Sequence, residues 1–146
     1  MRVYLDTNAI IGAIEGDDSL RASIWALFAV DRGNVDSLVT SELTIAEVLV
    51  KPLQLGQDTI VTTYLELLRS GDRMSVVPVD RDVLILAARW RKDRSVKLPD
   101  AIHLATAERA NCQVVLTSDD RLARASGLRQ VAVSKTSVDD LVSTLL

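Results

Sequence analysis

Sulfur and imidazole side chains are scarce in this sequence of 146 residues, which has one cysteine, Cys112, and one histidine, His103. A single cysteine cannot form a disulfide within the chain, and the two residues together are too few for a structural zinc site. Any metal ion that this protein binds must therefore be held by oxygen ligands.

Long apolar runs are also missing. The longest uncharged apolar stretch, IWALFAV, has seven residues, whereas a membrane-spanning helix needs about 20. A signal peptide would need about 7 to 15 apolar residues near the amino end, and Asp6 interrupts the chain before such a run develops. We therefore expect no membrane association and a cytoplasmic location.

The chain has no excess of positive charge, since 17 Lys and Arg residues stand against 20 Asp and Glu residues. The net charge of −3 argues against binding nucleic acid through overall charge alone. A local patch could still do so, and the one notable basic run is RWRKDRSVK at residues 89–97. A solvated helix end is the structural alternative for this run.

Short stretches rich in Val and Leu alternate with segments of helical periodicity. We predict strands at residues 2–5, 36–40, 75–79, 113–117 and 130–133. Pro78 lacks a backbone donor, which places the third strand at a sheet edge or ends it early. Gly71 and Gly127 stand where helices should stop, and Pro99 stands where a helix should begin.

The alternation of strands and helices predicts one domain over residues 1–146, because no repeat, linker or low-complexity tract divides the chain. The expected class is α/β, with a mostly parallel central sheet of about five strands and helices on both faces. In open sheets of this kind, ligands bind beyond the carboxyl ends of the strands.

Two acidic residues stand at such strand ends. Asp6 directly follows the first strand, and Asp119 follows the fourth. Each has a structural alternative as the N-cap of the next helix. Thr7 or Asn8 would cap the first of these helices equally well, and Ser118 or Asp120 the second.

Glu47 is the only charge between Leu43 and Val50 in the predicted helix SELTIAEVLVK. Helical spacing places its side chain on the same side as Leu43, Ala46 and Val50, so we expect it to be partly buried. A buried carboxylate costs several kcal/mol unless it is protonated, paired or bound to a metal. An ion pair with an arginine is the structural alternative.

Asp100 follows Pro99 in the first turn of a predicted helix, where a negative charge gains about 0.3 to 1 kcal/mol from the helix dipole. Its helix face continues to Leu104 and Ala107, so we expect the carboxylate at the edge of a buried stripe. His103, one turn on, could be a ligand or a base, although a packed and hydrogen-bonded histidine is more common.

The four acids together favour one interpretation. We expect Asp6, Glu47, Asp100 and Asp119 to converge in one crevice, where they would raise each other's pKa values unless a divalent cation neutralised them. Oxygen-only ligands suit Mg²⁺ or Mn²⁺, with waters and a substrate phosphate completing the coordination. Such a site activates water for attack on phosphorus.

Four segments resemble the PIN-domain family, and specifically the VapC-type toxins of toxin–antitoxin pairs: VYLDTNAIIG, SELTIAEVLVKP, LPDAIHLATA and VVLTSDDRL. The resemblance implies a Mg²⁺- or Mn²⁺-dependent endoribonuclease with a parallel sheet between helices. It also implies a homodimer, an RNA substrate and a small antitoxin whose tail crosses the acidic pocket. The catalytic and metal-binding acids that it implies are Asp6, Glu47, Asp100 and Asp119, with Thr7, Asn8 and Thr117 as polar support.

Several details stay open at this point. Asp119 is chosen over Asp120 because it stands two residues after Thr117, as in the family's motif, and the resemblance carries no role for His103. The helix with Ile60, Tyr64 and Leu67 is expected to pack in the core, with a partner-binding groove as the alternative. The cations that could hold the RNA backbone are Arg89, Arg91, Lys92 and Arg121.

Other functions compete with this interpretation. The chain could be a non-catalytic PIN-fold module that binds RNA or protein, or a PIN nuclease of RNA processing without an antitoxin. A phosphatase with an aspartyl nucleophile would need a second acid two positions after Asp6, where Asn8 stands. A phosphoacceptor domain would use a lysine such as Lys135 but would also need an early acid pair and would leave Glu47 unexplained.

Overall fold

The computed structural model describes residues 1–30, 38–71, 73–93 and 95–146. Five strands are present in these ranges: β1 (Val3–Leu5), β2 (Leu38–Ser41), β3 (Ser75–Val77), β4 (Val114–Leu116) and β5 (Arg129–Val131). The helices are α1 (Thr7–Glu15), α2 (Asp18–Ala29), α3 (Leu43–Gln54), α4 (Asp58–Leu67), α5 (Arg81–Arg91), α6 (Leu98–Arg109), α7 (Asp120–Ser126) and α8 (Lys135–Leu145).

The strands form one sheet in the order β3-β2-β1-β4-β5, and all four pairings are parallel. The predicted α/β class with a parallel sheet of about five strands is confirmed. β3 lies at an edge and ends at Val77, immediately before Pro78, which agrees with the missing donor of that proline. Of the strand predicted at 36–40, residues 36 and 37 lie outside the described residues.

Helices cover both faces of the sheet, as predicted. Successive strand residues point to opposite sides of the sheet, so each strand contributes to a core on either face. Val3 and Leu5 of β1 pack in one core cluster, whereas Tyr4 belongs to another. Tyr64 of α4 lies in the same cluster as Val3, and it is fully buried. Core packing is therefore the role of Tyr64, and the alternative of a partner groove is wrong for this residue.

Gly71 and Gly127 were expected at helix ends, and of the two it is Gly127 that ends a helix. Gly127 is the C-cap of α7 with a φ of 67°, a backbone conformation that glycine adopts without steric cost. Gly71 does not end a helix, because α4 stops at Leu67 and Leu68 is its C-cap.

The order of the strands locates the functional edge. From β1 the chain moves outward through β2 and β3, and then returns to β4 and β5 on the other side of β1. The carboxyl ends of β1 and β4 therefore form the topological switch point, where ligands bind in open parallel sheets. The backbone N–H of Asp6 donates to the carbonyl of Leu116 across 3.1 Å and joins these two ends.

None of the helices in the described part of the chain has the length and apolar character that crossing a bilayer requires.

Candidate functional site

Asp6 lies at the switch point with both carboxylate oxygens engaged. The side chain is buried, and it is the N-cap of α1. One oxygen accepts from the backbone N–H of Thr7 at 2.8 Å; the other accepts from the amide of Asn8 at 3.0 Å and from the hydroxyl of Thr117 at 2.7 Å. Asp6 thus caps a helix and also presents an oriented carboxylate at the strand end.

Thr117 and Asn8 link the loop after β4 to the start of α1. The Thr117 hydroxyl donates to Asp6 and accepts from the backbone N–H of Asp119 at 3.0 Å. The side-chain oxygen of Asn8 accepts from the backbone N–H of Ser118 at 3.0 Å. These bonds fix the loop that carries Asp119 against Asp6.

Asp119 and Asp120 differ in their partners. The Asp119 carboxylate is the N-cap of α7 and accepts from the backbone N–H groups of Arg121 at 3.0 Å and Leu122 at 3.2 Å. The Asp120 carboxylate instead accepts from the side-chain amide of Gln130 at 2.9 Å. Asp119 is the one whose negative charge raises the pKa of Asp100.

Glu47 is held by His103 and Thr7. The Nε2 atom of His103 lies 2.6 Å from the Oε1 atom of Glu47, and the Thr7 hydroxyl donates to the same oxygen at 2.8 Å. Burial by itself raises the pKa of the Glu47 carboxyl, but the hydrogen bond and electrostatic attraction of His103, together with Thr7, hold that pKa below its usual value. Glu47 is therefore ionised at neutral pH.

The environment of Glu47 differs from the expected one. The side chain is 31% exposed, in agreement with partial burial, but Val50 on the same side of the helix is 54% exposed. The face that α3 buries carries Thr44, Val48 and Pro52. The prediction of a shared buried side is therefore wrong. The partner of the carboxylate is His103 rather than an arginine.

His103 is almost completely buried, with 2% of its surface exposed, and both ring nitrogens are engaged. Its Nδ1 atom lies 2.5 Å from the phenolic oxygen of Tyr4, on the opposite side of the ring from Glu47. The expected packed and hydrogen-bonded histidine is confirmed, but sequence reasoning missed these two partners. The available signal was a lone histidine within the apolar segment AIHLATA.

The pKa of Asp100 depends on the charges of the other three acids. Burial raises the pKa of its carboxyl, and the negative charges of Asp119, Asp6 and Glu47 raise it further, while His103 acts in the opposite direction. Asp100 lies in the first turn of α6 beside the buried run that contains Leu104 and Ala107, each 3% exposed. The structure therefore places Asp100 where the charges of the other three acids reach it.

The acids are not arranged as a ready-made metal centre. Within residues 1–30, 38–71, 73–93 and 95–146, no three side chains of His, Cys, Asp or Glu are placed so that they could hold a metal ion. The donor chemistry nevertheless fits a hard divalent cation, because the four side chains offer only carboxylate oxygens. The raised pKa of Asp100 indicates negative charge that the protein itself does not compensate.

Asp100→Asn is expected to raise the melting temperature of the metal-free protein at neutral pH. The folded-state pKa of Asp100 lies above its usual value of 3.8, so the carboxylate is less favourable in the folded protein than in the unfolded chain. The contribution of this group to stability is present below its unfolded pKa and is lost as the pH rises through its folded pKa.

Thermal unfolding in EDTA from about pH 3 to about pH 8 measures this effect. The difference in melting temperature between Asp100→Asn and the wild type should be small in acid and should grow in favour of the variant as the pH rises. A difference that stays constant over this range would show that the charge of Asp100 is not the cause.

Comparison with protein families matches the PIN domain to residues 3–128 of the chain. No curated protein matches the chain in sequence. Solved structures with the same fold include VapBC from Salmonella typhimurium, determined with bound DNA, at 18% identity and a TM-score of 0.67. That alignment covers 92% of this chain and 99% of the other.

Two further solved structures are similar. VapC20 from Mycobacterium tuberculosis, a toxin that cleaves the sarcin–ricin loop, has 17% identity and a TM-score of 0.65, with 84% of this chain and 94% of that chain covered. A toxin–antitoxin complex from Klebsiella pneumoniae has 22% identity and a TM-score of 0.58, with 80% and 86% covered. At these identities the structural likeness establishes the fold.

Proposed function

Because the chain belongs to the PIN domain family, we propose that it is a metal-dependent endoribonuclease and the toxin of a type II VapBC-like toxin–antitoxin pair. The observation that carries the proposal is the electrostatic coupling of Asp100 to Asp6, Glu47 and Asp119 at the switch point of a parallel sheet. A divalent cation would relieve the repulsion that the neighbouring acids exert on the Asp100 carboxylate.

Asp6, Glu47, Asp100 and Asp119 would hold Mg²⁺ or Mn²⁺. The bound metal would supply an activated water for attack on phosphorus and would offset the negative charge of the phosphate. The chain itself orients the carboxylates: Thr117 and Asn8 fix Asp6, and His103 and Thr7 fix Glu47. Glu47 remains ionised, since its partners hold its pKa below the usual value, so it acts as an acceptor rather than an acid.

The partners follow from the same premise. The Klebsiella pneumoniae relative is a toxin–antitoxin complex, which supports a cognate antitoxin for this chain. We also propose that the protein forms a homodimer and is located in the cytoplasm. We also take residues 1–146 as one domain, because Val138 and Leu141 of α8, beyond the part matched by the family, lie in the same core cluster as Val3 and Leu5.

A non-catalytic PIN-fold module that binds RNA or protein is the second candidate. The observation in its favour is that no three potential ligands among the described residues are ready to hold a metal ion. A PIN nuclease of RNA processing would share the acids and would differ only in lacking an antitoxin.

Cleavage of RNA by the purified chain tests the proposal. We expect tRNA and ribosomal RNA fragments to be cut at discrete positions in Mg²⁺ or Mn²⁺ but not in EDTA, with activity restored when excess metal is added back. RNA that is bound but stays intact in both metals would favour the binding module, and RNA that is neither bound nor cut would remove both functions.

A further inference from the structure

A basic pocket lies directly beside Asp100. It has a volume of about 510 Å³ and is lined by residues from α6, from α7 and from the end of α5 with the segment that follows it. We call it the basic pocket after its three cations, Arg91, Lys97 and Arg121. Its other lining residues include Asp100, Leu104 and Leu122. Three positive side chains thus line the same cavity as one of the four acids.

Hydrogen bonds connect two of the cations to the segments that carry Asp100 and Asp119. The Nε atom of Arg91 donates to the carbonyl of Val96 at 3.2 Å, which ties the end of α5 to the segment leading into α6. The backbone N–H of Arg121 donates to the Asp119 carboxylate at 3.0 Å, so this arginine stands at the start of α7 beside the acidic cluster.

The charges of the basic pocket are uncompensated in the part of the chain that the structure describes. There, none of Arg91, Lys97 and Arg121 takes part in an ion pair, whereas Arg109 is paired with Asp80 at 2.9 Å. Exposed cations that are free of carboxylate partners, on the rim of an acidic site, attract an anion rather than stabilise the fold.

The four cations that the sequence suggested for holding RNA line two different cavities. Arg89 and Lys92 line a different cavity with Trp90 and Glu108, and Lys92 lies 3.7 Å from the carboxylate of Asp93. Arg91 and Arg121 share the pocket with Asp100, and Lys97 joins them, a residue that sequence reasoning did not select.

We propose that the basic pocket binds a phosphate of the RNA strand other than the one that is cut. Arginine binds phosphate oxygens through two parallel N–H groups, and lysine adds a point charge, so the set suits a phosphodiester. The acids alone would repel the backbone of the substrate, and this pocket offsets that repulsion on the side of Asp100. The inference rests on the proposed function, because it assigns the pocket to the same RNA.

The test compares two double variants that remove the same charge. Arg91→Ala with Arg121→Ala empties the pocket of its arginines, and Arg89→Ala with Lys92→Ala is the control from the neighbouring surface. RNA affinity is measured by fluorescence anisotropy in EDTA at several KCl concentrations, and KM and kcat are measured in Mg²⁺. Urea unfolding of both variants checks that they fold.

We expect the pocket variant to weaken RNA binding about tenfold or more and to reduce the slope of log affinity against log salt by about 0.7, for one single-strand phosphate contact. Its KM should rise with little change in kcat, while the control stays near wild type. Lys97→Ala alone removes one of the three cations of the pocket, so it should weaken RNA binding in the same direction and by a smaller factor than the double variant.

Equal affinity, KM and salt slope in the two double variants would overturn the inference, and cleavage by the wild type would then leave the proposed function standing. A wild type that binds RNA through the pocket but cuts nothing in either metal would overturn the nuclease and keep the phosphate site. The two failures are therefore distinguishable.

Discussion

Asp100→Asn is expected to lower metal-dependent RNA cleavage about a thousandfold or more while leaving the protein folded. The change keeps the shape of the side chain but removes the negative charge that burial and three neighbouring acids already make unfavourable. A divalent cation contributes several kcal/mol to stabilising charge in the transition state, and about 4 kcal/mol corresponds to a thousandfold in rate.

Asp120→Asn is the matched control for this variant. Asp120 lies next to Asp119, but its carboxylate accepts a hydrogen bond from Gln130, whereas the charge that raises the pKa of Asp100 is that of Asp119. We expect single-turnover cleavage and Mn²⁺ binding near the wild-type values in Asp120→Asn, and a loss of both in Asp100→Asn. Equal activity of Asp100→Asn and the wild type would remove Asp100 from the site, and a larger loss in Asp120→Asn would reverse the assignment of the adjacent acids.

The expected stability of Asp100→Asn makes this result easy to interpret. In EDTA at neutral pH the variant should melt at a higher temperature than the wild type, because the pKa of Asp100 is raised in the folded protein. A loss of cleavage together with a gain in stability cannot come from unfolding. The same repulsion that costs the metal-free protein stability is what a bound cation would relieve.

The sheet was predictable because its signals are local. Strands rich in Val and Leu that alternate with amphipathic helices leave a parallel sheet covered on both faces as the simplest arrangement, and the missing donor of Pro78 marks the edge strand. The end of α4 was not predictable from Gly71, because a glycine indicates where a helix is able to stop and not where its packing stops.

The buried side of α3 shows where periodicity stops being informative. Val50 is 54% exposed, although its place on the same helix side as Leu43 and Ala46 predicted burial. A helix with apolar residues on most sides has no preferred face in the sequence, so the neighbouring elements decide which side is covered. For Glu47 the expected partial burial was right, but its cause is a contact with His103 from another helix.

Asp6 and Asp119 were predicted at strand ends and Asp100 at a helix start, but the partners of these acids and of Glu47 were not predicted. His103 contacts Tyr4 and Glu47, which lie 99 and 56 residues away in the sequence. These contacts depend on the register of β1 in the sheet and on how α6 crosses it. A sequence pattern of period 2 or 3.6 contains neither quantity.

His103→Ala is the second large effect that we expect. A partner that holds a metal-binding carboxylate typically contributes about 10- to 100-fold to metal affinity or activity, and His103 holds Glu47 at 2.6 Å. The loss should appear in Mn²⁺ affinity and kcat, while the affinity for RNA in EDTA changes little. We therefore expect His103 to be a positioning residue, which acts through Glu47.

The direction of the hydrogen bonds explains why this role suits histidine. Burial holds the pKa of the Tyr4 phenol above its usual value, so the phenol keeps its proton, and its oxygen lies 2.5 Å from Nδ1 of His103. The ionised Glu47 carboxylate can only accept a hydrogen bond, so the Nε2 atom of His103 carries the proton of that bond. With Tyr4 at one ring nitrogen and Glu47 at the other, the imidazole orients Glu47 from inside the protein.

Conservative variants separate positioning from a general loss of packing. His103→Ala also leaves the phenol of Tyr4, 1% exposed, without this partner, at a cost of about 1 to 3 kcal/mol of stability. His103→Gln can retain one N–H donor toward Glu47, so we expect it to recover much of the Mn²⁺ affinity even where its stability resembles that of His103→Ala. Tyr4→Phe removes the phenolic hydroxyl but leaves the histidine in place, so it should lower stability with little loss of kcat. If cleavage in the three variants simply followed their melting temperatures, His103 would be part of the core and nothing more; if it followed the N–H donor to Glu47, the buried histidine belongs to the catalytic apparatus.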